Sequence, residues 1–210
     1  MTRSESPATG TGLSVLHALR CSGAAGPTRL ANATGLGESD VESELIDLAV
    51  AGLVTYAGGD FGGWSLTDTG RAVNAERLAA ELESAGARAA VKAAFDGFLV
   101  LNPELLELCT AWQIRSVDGV MTANDHGDPS YDSRVLARFV DFDRRAAVVG
   151  AELSAALPRF GRYRVRLAEA LDRAVAGELK YVADDFSSYH VVWAELHEDL
   201  HATLGIPRWV

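Results

Sequence analysis

The sequence predicts a mostly α-helical protein in two parts. Residues 13–85 read as three short helices, a β-hairpin and a further helix, and residues 86–210 as an all-α helical domain. Apolar residues recur at helical spacing along most of the chain. The period changes at Leu53–Ala57 and again at Trp64–Leu66, two strand-like runs around the turn Gly58-Gly59-Asp60-Phe61-Gly62-Gly63. Apolar residues make up 48% and charged residues 23%, a globular balance. Only residues 1–12 read as a disordered tail, rich in Ser, Thr and Gly, with none of the apolar run of a signal peptide or membrane anchor.

Each element has a local reason. Leu13, Val15, Leu16 and Leu19 define a first helix, Leu13 to Arg20. Pro27 suits a helix start, and Leu30, Ala31 and Ala33 give the apolar side of a short second helix ending at Gly35. Ser39-Asp40-Val41-Glu42 has the spacing of a capping box for a third helix. Val41, Leu45, Leu48 and Ala49 share one face of it, and Gly52 stops it. After the hairpin, Thr67-Asp68-Thr69-Gly70-Arg71 opens a fourth helix to about Ser84. Beyond Gly86 the periodicity predicts helices near Ala87–Leu101, Pro103–Trp112, Tyr131–Leu157, Arg162–Ala176 and Asp185–Leu204, with a polar loop from Ser116 to Ser130.

Three helices, a hairpin and a helix follow one another in the order of a winged helix. The segment Gly35–Val54, GLGESDVESELIDLAVAGLV, resembles the turn and third helix of winged helix-turn-helix transcription regulators. The string Leu66-Thr67-Asp68-Thr69-Gly70-Arg71 resembles the stretch after the wing in MarR-like and PadR-like members. The resemblance implies a cytoplasmic homodimeric regulator that binds double-stranded DNA, with the helical domain sensing a small-molecule effector or pairing two copies. Arg29, Ser39, Ser43 and Arg71 are then the candidate DNA contacts, with Arg3 and Arg20 adding affinity. In the second part, Asn124-Asp125-His126, Tyr131-Asp132, Ser188-Tyr189-His190 and the run from Trp193 to Leu200 resemble a helical module of actinobacterial phosphoenolpyruvate-utilising, dikinase-like proteins. That likeness implies the alternative: an interaction or ligand-binding module that does not bind DNA and partners such an enzyme.

Charge separates the two readings. The chain carries −10 overall, and residues 1–85 hold five Lys and Arg against eleven Asp and Glu. Non-specific DNA affinity comes almost wholly from cations on phosphates. The outward positions of the third helix are Asp40, Ser43, Glu44 and Asp47, with Glu38 and Glu42 beside them, and the hairpin turn carries Asp60 and no cation.

Little in the sequence points to catalysis. His197-Glu198-Asp199-Leu200-His201 matches H-E-x-x-H, in which two imidazoles one helical turn apart hold zinc and the Glu is general base. Only nine residues follow His201, and Asp199 places a charge within the motif, so a zinc hydrolase is disfavoured. His190, His197 and His201 fall on one helical stripe and read as a polar face. Glu195, His197, Glu198 and Asp199 together read as a solvated one. Asp125 and His126, in a dense polar turn, are candidates to line a small-molecule site with Tyr189, His190 and Trp193; Trp112, Tyr131 and Tyr163 could also wall it. The basic cluster Arg159, Arg162, Arg164 and Arg166 suits an anion or, more simply, pairing with nearby acids. Cys21 and Cys109 have no metal or redox spacing, which suits free thiols in a reducing compartment. No catalytic residue, metal or cofactor is expected, and no membrane span.

Overall fold

The structure is a computed structural model that describes residues 10–59 and 62–207. It is mostly helical, with two small antiparallel hairpins. The chain divides into two compact units, one running to Ser84 and resumed from Glu195, the other spanning Ala85–Ala194.

The first unit begins with α1 (Gly10–Ser22), α2 (Pro27–Thr34) and α3 (Glu38–Val50). Val15, Leu16, Leu19, Leu30, Val41, Leu45 and Leu48 form its core, each at most 1% exposed. Burying a leucine of this kind stabilises by about 1.5–3 kcal/mol. Helix α1 takes in Gly10, Thr11 and Gly12, three residues expected in the tail; the rest of that tail, Arg3 included, lies outside the described residues. Gly35 ends α2 at φ 76°, a left-handed cap that suits glycine. The expected capping box does not form. Gly37 is the N-cap of α3, one residue before the first acidic side chain, and Ser39 lies already inside the helix.

Strands β1 (Val54–Ala57) and β2 (Gly63–Leu66) pair antiparallel, Val54 opposite Leu66. Ala25, between α1 and α2, exchanges both backbone hydrogen bonds with Trp64, each 3.0 Å. Asp60, in the turn, lies outside the described residues. Helix α4 (Asp68–Ser84) follows, and its start explains the Leu-Thr-Asp-Thr-Gly-Arg string. Thr67 Oγ1 donates to Gly52 O (2.7 Å) and accepts from Gly70 N (3.0 Å). A Cβ at Gly70 would sit 2.0 Å from the carbonyl oxygen of Leu53, so the helix meets that turn closely only because residue 70 has no side chain.

The second unit contains α5 (Arg88–Gln113), β3 (Ile114–Val117), β4 (Val120–Ala123), α6 (Pro129–Ala156) and α7 (Gly161–Val175). Two expectations change here. The break before Pro103 is absent: α5 runs through it, because Phe98, Leu101, Leu105 and Leu108 continue one buried stripe across the proline and packing outweighs the missing amide donor. The expected polar loop contains a hairpin, so this part is not all-α. Asp118 (φ 50°) and Gly119 (φ 82°) make the two-residue turn that aligns Val117 with Val120. Asp128 caps α6, accepting from the Ser130 and Tyr131 amides.

The last helix, α8 (Tyr189–Leu204), starts four residues later than expected, at Tyr189. Its residues to Ala194 belong to the second unit and those from Glu195 to the first. Among the described residues, no helix is long and apolar enough to cross a membrane.

Candidate functional site

The outward face of α3 is acidic and apolar. Val41, Leu45 and Leu48 point inward, which leaves Glu38, Ser39, Asp40, Glu42, Ser43, Ile46, Asp47 and Val50 exposed. Ile46 is 59% and Val50 85% exposed, and the helix contains no Lys or Arg. Of the four expected DNA contacts, Ser39 is exposed, Ser43 donates to the Ser39 carbonyl (2.9 Å), and Arg71 is exposed at the start of α4. Arg29 is committed elsewhere: its guanidinium donates to Glu195 Oε1 at 2.9 Å, a carboxylate that is itself 5% exposed.

That contact is one of three alike. From α8, Glu195 pairs with Arg29 on α2, Glu198 with Arg20 on α1, and Asp199 with His17 on α1 (2.9 Å). The charged stretch Glu195–Asp199 is therefore not a solvated face. Glu195 and Asp199 are buried, and their spacing of three and four residues puts all three carboxylates on the side of α8 that meets α1 and α2. Glu198, the residue a zinc hydrolase of the H-E-x-x-H type would use as its base, is occupied by Arg20.

His17 is the centre of a polar cluster in this unit. Its Nε2 faces both Asp199 Oδ2 at 2.9 Å and Cys21 Sγ at 3.7 Å. Nδ1 lies 3.5 Å from the side-chain amide of Asn74, which is buried. Thr203 Oγ1 donates to the other Asp199 oxygen at 2.9 Å. Burial, the largest single influence on the ring, favours its neutral form. The Asp199 carboxylate, helped by Cys21, outweighs that and raises the His17 pKa to about 10. Neither His17 nor the cluster was expected from the sequence. The available signal was the i, i+4 spacing of His17 and Cys21, which puts both on one helical face.

His197 and His201 lie one turn apart with their Nε2 atoms 3.1 Å from one another. Among the described residues, the one group of three or more possible metal-ligating side chains is His17, Cys21 and Asp199, so no third ligand joins the His197–His201 pair there.

In the second unit, the residues expected to line a small-molecule site are held by separate sets of contacts. His126 (φ 57°) bonds Asp132 Oδ2 through Nδ1 at 3.0 Å and packs on the Trp112 ring, 4.7 Å between centroids. Asn124 donates to Asp132 and to the Trp112 carbonyl, both 2.9 Å. Asp125 is exposed and pairs with Arg115 (2.8 Å). The Gly127 amide, first, and the Arg115 charge hold its carboxyl below the usual carboxylate range. Tyr189 instead donates to Asp143 at 2.9 Å, and Trp193 to Asn102 at 3.0 Å. Asp132 and Asp143 are eleven residues apart on α6, about 16 Å along its axis. His190 is half-buried on the first turn of α8, its backbone amide bonded to Val182 O. From the arginine cluster, Arg164 forms a two-pronged pair with Asp143 (2.5 and 2.7 Å), so one carboxylate serves both Arg164 and Tyr189. Arg159 lies over the Phe160 ring, 4.4 Å from its centroid.

No family model, curated protein or solved structure matches the chain.

Proposed function

We propose that the first unit is a winged helix-turn-helix used as a protein-docking module, with α3 presented to a basic partner surface rather than to DNA. The reading rests on the outward face of α3, where Ile46 and Val50 are exposed among Glu38, Asp40, Glu42 and Asp47 and there is no cation. Exposed aliphatic side chains inside a charged rim suit a protein interface, and the rim selects a partner of opposite sign. Against phosphates the same face is repulsive. Arg29 and Arg20, the nearest cations on α2 and α1, are engaged by Glu195 and Glu198.

A photo-crosslinking amino acid at position 46, introduced in the cells that make the protein, tests this. A discrete protein adduct is expected, weakened by Asp47→Lys. A nucleic-acid adduct, or none, counts against it.

The transcription-regulator reading keeps one supporting observation. The order of α1, α2, α3, hairpin and α4, with Ala25 joined to Trp64 by an isolated bridge, resembles the arrangement such regulators use, and Arg71 is exposed at the start of α4. Anisotropy of labelled duplex DNA distinguishes the two. A docking module gives no binding at low salt, whereas a regulator binds with an affinity that falls steeply as salt rises. In either reading the second unit is assigned to pairing two copies or sensing a small molecule.

A further inference from the structure

We propose that His17, Cys21 and Asp199 form a binding site for a single zinc-class divalent ion in the first unit. An imidazole nitrogen, a thiol sulfur and a carboxylate oxygen converge there, all within 4.8 Å of one another. This mixture of donors is the set that suits zinc, borderline in softness.

The distances fit. Ligand bonds of zinc length at tetrahedral angles put nitrogen and sulfur about 3.5 Å apart and nitrogen and oxygen about 3.3 Å apart. The corresponding separations here are 3.7 Å and 2.9 Å, and Cys21 Sγ and the Asp199 oxygen lie within 4.8 Å of one another, so the donors close on one ion by rotamer adjustment. His17 and Cys21 are offered from one helical face, while Asp199 arrives from α8.

The surroundings are those of a held site. Thr203 Oγ1 fixes the second Asp199 oxygen, and the Asn74 amide lies against His17 Nδ1. With its amide turned, Asn74 accepts a hydrogen bond from Nδ1–H and leaves Nε2 to the ion, the outer contact that metal-bound histidines use. The ion takes the place of the proton now shared between Nε2 and Asp199, and binds Cys21 as thiolate.

The test uses the full chain without a polyhistidine tag, stripped with chelator and titrated with Co²⁺. About one Co²⁺ per chain is expected, with a thiolate-to-cobalt charge-transfer band that Zn²⁺ abolishes by displacement. Cys21→Ser removes the band. Thr203→Val, which keeps all three ligands, weakens binding about 10-fold or more. Circular dichroism of each variant confirms that it is folded. Absence of stoichiometric uptake by the wild type overturns the proposal, and so does uptake without the thiolate band. Uptake that survives Cys21→Ser but is lost in His201→Ala assigns the ion to the His197–His201 pair and overturns it equally.

Discussion

His17 Nε2 lies 2.9 Å from Asp199 Oδ2, a buried ion pair that fastens α8 to α1. The folded state holds a proton on His17 up to about pH 10, whereas the unfolded chain releases it near pH 6.5. The stabilisation is therefore complete below about pH 6.5 and is lost as pH rises through about 10. In metal-free protein, urea denaturation across this window should show a steady fall in stability. In Asp199→Asn the fall should be much shallower, with stability about 3 kcal/mol lower at neutral pH. Equal slopes for the two proteins would mean that the pair does not carry the proton.

Gly70 faces the Leu53 carbonyl so closely that any side chain collides with backbone. Gly70→Ala should cost about 2–3 kcal/mol, read from the urea midpoint. Gly58→Ala, where an added Cβ meets nothing within 4 Å, is the control and should change stability by less than about 0.5 kcal/mol.

Asp132 and Asp143 anchor two polar networks on α6. Removing the Tyr189 hydroxyl takes one charge-assisted hydrogen bond from Asp143 but leaves Arg164 in place. Tyr189→Phe should therefore cost about 1.5–3 kcal/mol. Asp132→Ala takes an acceptor from both the Asn124 amide, which keeps the Trp112 carbonyl, and the His126 ring, and should cost more. Thermal melts of the two variants give the order, and a smaller loss for Asp132→Ala would contradict it.

Cys109 is 4% exposed, and burial pushes its thiol up to about 12. Its reaction with a thiol reagent requires opening of the second unit. Alkylation of Cys109, followed by mass spectrometry, should track global unfolding as urea is raised. Fast labelling of this residue in native buffer would show a local opening instead.

Much of the first unit was legible in the sequence because its elements carry their own pattern. Val41, Leu45 and Leu48 fix the inward face of α3, and strand-like runs on either side of a glycine-rich turn mark the hairpin. In the second unit, Asp118-Gly119 between Ile114–Val117 and Val120–Ala123 was a readable hairpin signal, masked by the polar residues after it. Pro103 misled because its local cost is visible in sequence, whereas the packing that outweighs it is not. The His17 cluster was hidden for a different reason. Its members come from the two ends of the chain, and only the return of α8 makes Asp199 a partner of His17. Read locally, Glu195, Glu198 and Asp199 are simply a charged stretch.

That return has a consequence for synthesis. Folding on a ribosome usually completes the earliest-made domain first. Here the N-terminal unit lacks the carboxylates for Arg20, Arg29 and His17 until residues 195–199 have left the exit tunnel. The segment translated in between, Ala85–Ala194, is a compact unit with its own interior. The nascent chain is thus expected to consolidate from the middle, with its beginning sealed last.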